Sequence, residues 1–359
     1  MKPFAIAGVV VCAVAVVAAV ALLFYRDGNL HSEERMIQKA HDAGFVERQV
    51  LIEGSTINYA EGPNNGPALM LIHGQGMEWE DYAKVLPDLA KDFHVFAVDC
   101  FGHGESAHDA GLYTCQALGN ALIGFADSVI GEPFVVSGHS SGGILAAYVA
   151  AKDPSNVIAC VLEDPPFFNV LPGEVQEGEG SFVWFDGYIP AHEYVEAQST
   201  EPYAAFYAEH SYLFKLFGGL RDRTVEEIRT SCEAHPDEHV TTEWIPHDWT
   251  RGVYFMDDFD PEFGNAFYTG SWFDGLDQEQ LLSEIRCPVL YLKAKTNYGD
   301  DGVLYAANTD EDAARVVEAI ADCEMVVIDS GHNIHYEKPS EFVGAIRRIL
   351  SMGSSRSSA

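Results

Sequence analysis

The chain has 359 residues, with 21 Lys or Arg against 55 Asp or Glu and a formal charge of −34. Hydrophobic residues at 47% and aromatic residues at 12% can build a core, which excludes a disordered polyelectrolyte. The acid excess excludes nucleic acid as a partner, because phosphates would meet a repulsive field in place of Lys and Arg.

Residues 4–25 carry no charge and are dominated by Ala and Val, with Lys2 before them and Arg26 after. At about 1.5 Å per residue this run is long enough to cross a bilayer as a helix. It exceeds the apolar core of a cleaved signal peptide, and no convincing cleavage site follows it. The expectation is a transmembrane signal anchor over 1–25, with the folded domain outside the cytoplasm. Residues 26–46 are polar and helix-forming and read as a juxtamembrane stalk. The end of the chain, 351–359, is SMGSSRSSA, a tail with almost nothing to pack.

From residue 47 a regular pattern begins. Residues 49–52 and 56–59 predict an antiparallel hairpin. Strands are then predicted at 68–72, 94–98, 134–137, 157–162, 289–292 and 325–328. Helices are predicted between or beside them at 79–91, 115–129, 142–151, 310–320 and 340–350. Short apolar runs alternating with helices mean strands buried on both faces, hence a mostly parallel α/β sheet flanked by helices. The core is expected over 47–166 and 284–350. Residues 167–283 interrupt the alternation and hold 23 of the 42 aromatic residues, among them Trp184, Trp244, Trp249 and Trp272. Such a segment predicts a mostly helical cap, with some rings lining an apolar cleft.

Three glycine-marked turns carry the chemistry. Gly138-His139-Ser140-Ser141-Gly142 is a G-x-S-x-G between a strand and a helix, where a serine oxygen can project from a tight turn. His73-Gly74-Gln75-Gly76 follows the first parallel strand, where a backbone N–H can face a reacting carbonyl. Asp329-Ser330-Gly331-His332 places an imidazole just past the last strand, where a base can reach the serine. A serine hydroxyl is weak at neutral pH and needs such a group to take its proton. His335, just beyond, reads as structural.

In this order the elbow, the His-Gly turn and the late Gly-His resemble the α/β-hydrolase superfamily over nearly all of 49–350 outside the cap. The resemblance implies Ser140 as nucleophile, His332 as general base, and an oxyanion hole from the backbone N–H groups of Gln75 and Ser141. The acid has two candidate positions. Most of the superfamily places it after the strand beginning at Val289, where Asp300 comes late and Asp301 follows it. Asp164, 24 residues beyond Ser140, stands instead at the preceding strand end. That position resembles some haloalkane dehalogenases and zearalenone lactonase, and it is the preferred one, over Asp300, Glu163 and Asp301. An elbow serine excludes the aspartate nucleophile of dehalogenases and epoxide hydrolases.

The expected activity is therefore cofactor-independent hydrolysis of a small-molecule carboxylic ester or lactone, apolar or aromatic, through an acyl-enzyme. Amide or C–C bond hydrolysis and acyl transfer use the same groups. A ligand-binding protein on the same fold is the rival, but a pure binder need not keep the serine, histidine and oxyanion turn together. No metal is expected. Pro236 spoils the H-x-x-E-H pattern of residues 235–239, and Phe263 stands where a calcium loop after Asp258 needs glycine. No phosphate-binding glycine loop is present. Seven cysteines without a C-x-x-C argue against a disulfide or zinc scaffold. Cys287 and Cys323, each just before a strand, read as core thiols in preference to a bridge.

Overall fold

Unbroken apolar runs of five to seven residues can be satisfied only where both faces of a strand are covered. The computed structural model, which describes residues 3–170, 180–236 and 238–354, puts them in the middle of one eight-stranded sheet. The strands are β1 (Val46–Ile52), β2 (Ser55–Glu61), β3 (Ala68–Ile72), β4 (His94–Val98), β5 (Phe134–His139), β6 (Val157–Glu163), β7 (Val289–Ala294) and β8 (Cys323–Ile328). Their spatial order is β1-β2-β4-β3-β5-β6-β7-β8. The β1–β2 and β2–β4 pairs are antiparallel and every later pair is parallel. All parallel strands therefore end at one edge, and the three glycine-marked turns leave the sheet there.

Alternation along each strand divides the core in two. Met70 and Ile72 of β3 join one face, packed by helices Cys115–Phe125 and Ser141–Lys152 and continuous with the segment 180–283. Leu69 and Leu71 join the other, packed by Trp79, Leu86, Leu89 and the final helix, Pro339–Ser354. That helix includes four residues of the expected tail (351–354), and 355–359 lie outside the described residues.

The predicted helix over 79–91 is broken into a short 3₁₀ turn, Trp79–Tyr82, and one helical turn, Leu86–Leu89. The Trp79 backbone N–H is drawn to Asp99 Oδ1 at 2.6 Å, and Pro87 starts the second piece. The predicted helix over 115–129 runs to Phe125 and loosens into a wider turn over Ala126–Ile130. Cys287 and Cys323 are free thiols.

Helix α1 (Pro3–Leu30) contains, among the described residues, the one stretch long and apolar enough to cross a membrane, Cys12–Leu30. Its far end rests on the segment 180–283. Tyr25 Oη donates to the Trp244 carbonyl at 3.2 Å, Arg26 pairs with Glu243 at 2.5 Å, and Asn29 Nδ2 donates to the Glu243 carbonyl at 2.9 Å. Helix α2 (Ser32–Asp42) packs on the domain: Glu33 and Ala40 are buried, and Glu33 pairs with Arg251. The segment read as a stalk is thus a packed element.

Candidate active site

Ser140 sits at the β5 end with φ 53° and ψ −124°, a left-handed conformation that costs on the order of 1–3 kcal/mol in a residue with a Cβ. Neighbouring contacts hold it there. Its N–H donates to the Glu163 carbonyl at 2.9 Å and its own carbonyl accepts from Gly143 N–H at 2.8 Å. The glycines of the motif are steric necessities: a Cβ on Gly138 would meet the Gly142 carbonyl, and one on Gly142 would meet the carbonyls of Ile72 and His73. Ser141 opens the helix Ser141–Lys152, so the positive end of its dipole lies beside the serine.

His332 follows β8, and its Nδ1 lies 2.7 Å from Asp164 Oδ2. Asp164 is fully buried at the end of β6 and also takes backbone N–H bonds from Ala294 (3.0 Å, Oδ1) and Ala307 (3.0 Å, Oδ2). Three donors fix this carboxylate and leave it aimed at one imidazole. The His332 side chain is 11% exposed, and its Nε2 is buried without a protein hydrogen-bond partner. The other acids go elsewhere. Asp300 is exposed on the loop after β7, and Asp301 accepts from Tyr212 Oη at 2.8 Å. The structure brings Asp164, and not Asp300, to His332, because β7 ends at Ala294 and the chain turns outward before residue 300.

Glu163, next to Asp164, holds a second histidine. Its Oε1 accepts from His335 N–H at 2.7 Å and lies 2.8 Å from His335 Nδ1. His335 Nε2 lies 3.1 Å from Asp81 Oδ2, Asp81 Oδ1 accepts from Arg251 at 2.7 Å, and Arg251 pairs with Glu33. Every member is buried. Burial alone would lower the His335 pKa, but Asp81 and Glu163 override it and raise it to about 10. Asp81, which burial would raise, is instead held far below its ordinary range by His335 and Arg251. His335 is therefore an imidazolium at neutral pH. This chain of charges joins α2, the segment 180–283, the 3₁₀ turn, the His332 loop and the elbow. Sequence reading took His335 as structural and missed its partners, which lie far away in the chain; the only local signal was a second histidine three residues beyond the first.

The turn after β3 is locked by two neutral imidazoles. His73 Nε2 accepts from Cys100 N–H at 2.9 Å, and His103 Nε2 accepts from Gly76 N–H at 3.0 Å. Burial lowers His73 to about 4 and pushes His103 well below its ordinary value, so both can accept. A Cβ on Gly74 would lie 3.1 Å from Ser140 Cβ, which places this turn directly against the serine. The Gln75 side chain reaches the Gly187 carbonyl of the 180–283 segment at 3.2 Å.

Ser140, His332 and Gln75 open on a cavity of about 810 Å³. Its walls are Phe182, Tyr188, Tyr203, Tyr207, Phe217, Trp249 and Met256 from that segment, with Lys84, Tyr336 and Lys338 at the other side. Helices Ile189–Glu196, Tyr203–His210, Arg221–Ala234 and Pro261–Thr269 form the cover. Most of its other rings pack on one another, as Phe267 does on Tyr188 and Trp272.

A family model described as the Alpha/beta hydrolase family matches residues 69–345. Among curated proteins, the lipase LipV of Mycobacterium tuberculosis is 37% identical over 107 residues, 29% of this chain and 39% of that protein. A fluoroacetate dehalogenase of Burkholderia sp is 30% identical over 126 residues, 34% of this chain and 41% of that protein. The chain thus matches less than half the length of either relative. Among solved structures, a membrane phospholipase A superposes with a TM-score of 0.58 at 22% identity, covering 99% of both chains. The enol-lactonase of Burkholderia xenovorans LB400 gives 0.59 at 18% identity, over 85% of this chain and 100% of that one. At these identities the superpositions speak to the fold.

Proposed function

The chain belongs to the alpha/beta hydrolase family, and on that premise we propose that it is a serine hydrolase of carboxylic esters or lactones, held to a membrane by α1 with its domain outside the cytoplasm. The observation that carries this reading is the Asp164–His332 pair at 2.7 Å, with both His332 and the strained Ser140 opening on one aromatic-walled cavity. Asp164 fixes the imidazole with Nδ1–H toward itself, so Nε2 is the atom free to take a proton. Ser140 Oγ attacks the carbonyl as His332 Nε2 accepts its proton, and the backbone N–H groups of Gln75 and Ser141 receive the charge that develops on oxygen. His332 returns the proton to the departing alcohol, then activates water to cleave the acyl-enzyme. Substrate is a small, apolar or aromatic ester or lactone, matched to the ring-lined walls and not to a polyanion.

The anchor reading is supported by the length and apolarity of Cys12–Leu30 and by the contacts that hold its end to Glu243 and Trp244. The full chain in detergent micelles tests the activity with p-nitrophenyl esters of graded chain length and with an aromatic lactone. Turnover of one class, with a nitrophenol burst equal to the enzyme concentration, is expected. No turnover across both classes by folded protein contradicts the reading.

A further inference from the structure

Outside the cavity, one cluster between the 180–283 segment and the core collects acids that the proposed mechanism leaves unused. Glu78 and Glu80 lie just after the Gly74–Gly76 turn, and His239, Asp257 and Asp258 face them from the other side. One ligating atom from each of Glu78, Glu80 and His239 lies within 4.8 Å of the others, and the same holds for His239, Asp257 and Asp258. Glu78 is only 7% exposed, and its Oε1 is sealed from solvent with no hydrogen-bond partner. Its other oxygen, Oε2, lies with Asp99 Oδ2 against Gly104, and Asp99 is already occupied by Trp79 N–H and Asn58 Nδ2. Glu80 Oε2 is a second sealed acceptor without a partner.

Leaving a carboxylate oxygen buried and unpaired costs more than a neutral group would, so a fold keeps one only if something satisfies it. The cluster therefore takes up either protons or a cation. We propose that Glu78, Glu80 and His239 bind one divalent cation of intermediate hardness, Zn²⁺ or Mn²⁺, clamping the cap to the core.

The donor set selects the ion. Two carboxylates and one imidazole suit Zn²⁺ or Mn²⁺ better than Mg²⁺, which keeps most of its water, or Ca²⁺, which wants more oxygens. His239 Nδ1 lies 3.0 Å from Asp257 Oδ1, which fixes the tautomer and leaves Nε2 as the ligating nitrogen. Tyr254 stacks on the ring at 4.4 Å and holds its orientation. Glu80 and His239 are partly exposed and Asp258 is exposed, which gives an ion a way in. Of the H-x-x-E-H letters of 235–239 only His239 takes part, since His235 pairs with Glu238 at the surface. The clamp acts beside the turn that faces Ser140: Met256, two residues before Asp258, packs on Gly76.

The test uses the full chain in detergent, stripped with a chelator and then titrated with ZnCl₂, MnCl₂ or MgCl₂. Bound metal after dialysis and Tm are measured. One equivalent of Zn²⁺ or Mn²⁺ and a Tm rise of about 2 °C or more are expected. His239→Ala and Glu78→Gln lose both, whereas His235→Ala keeps both. Glu78→Gln also guards against misfolding, because the amide keeps the shape of the neutral acid and its metal-free Tm stays within about 2 °C of that of the metal-free wild type. The proposal is overturned if wild type takes up no equivalent, if His239→Ala or Glu78→Gln still binds it, if His235→Ala loses it, or if Mg²⁺ binds as well as the other two.

Discussion

Two adjacent acids at the end of one strand, Glu163 and Asp164, each hold a histidine from one loop, and the two pairs end in opposite states. Asp164–His332 borders the cavity and leaves Nε2 uncommitted. Glu163–His335 is sealed, and a second carboxylate, Asp81, closes on the remaining nitrogen. One carboxylate on an imidazole orients it; two, away from solvent, hold it charged. The first state suits a proton shuttle and the second a brace. A carboxylate–histidine pair is thus no signature of catalysis until its exposure and third partner are known.

Substitutions separate the two pairs. Asp164→Asn lowers hydrolysis by about 10⁴-fold while the domain stays folded, since the amide keeps the shape but not the tautomer control. Steady-state kinetics beside a thermal melt check this; an active Asp164→Asn would remove the pair from the mechanism. Glu163→Gln acts in the other direction. Leaving His335 with one partner in a sealed site costs about 3–5 kcal/mol of stability. The remaining folded fraction keeps kcat within roughly tenfold, because Glu163 reaches Ser140 only through its backbone carbonyl. A loss of kcat matching that of Asp164→Asn would merge the two roles.

Protonation sharpens the comparison. The His335 pKa stands at about 10 in the fold against 6.5 ordinarily, so its stabilisation is complete below about 6.5 and drains away as pH rises toward 10. Asp81, held low, contributes above the ordinary carboxylate range and loses its contribution as pH falls through and below it. Tm plotted against pH should fall on the alkaline side, and His335→Gln should flatten that limb. The smallest effect belongs to Asp300→Ala, which changes kcat/KM by less than about twofold, as an exposed loop acid away from His332 should.

The same contrast marks how far the chain could be read in advance. The elbow was legible because its glycines answer a local steric demand, and the strands because short apolar runs have one way to be buried. The Asp164–His332 contact was legible from the place of Asp164 after β6, while the course of the chain past Ala294 that leaves Asp300 exposed was not. The brace was not legible. Glu33, Asp81, Glu163, Arg251 and His335 are scattered over the chain, and nothing local marks a buried ion pair. Pro87 and the pull of Asp99 on Trp79 broke a helix that periodicity alone predicted. The Glu78–His239 cluster depends on where the segment 180–283 lies, which no alternation in 167–283 reveals.

The central claim is that Ser140 is a nucleophile activated by His332, and covalent labelling tests it most directly. Full-length protein is treated with a fluorophosphonate and its intact mass is recorded beside Ser140→Ala and His332→Ala. One adduct on the wild type, absent from Ser140→Ala and formed at least about 10³-fold more slowly in His332→Ala, is the predicted result. Folded wild type that takes no label, or Ser140→Ala that labels as fast as the wild type, would contradict it.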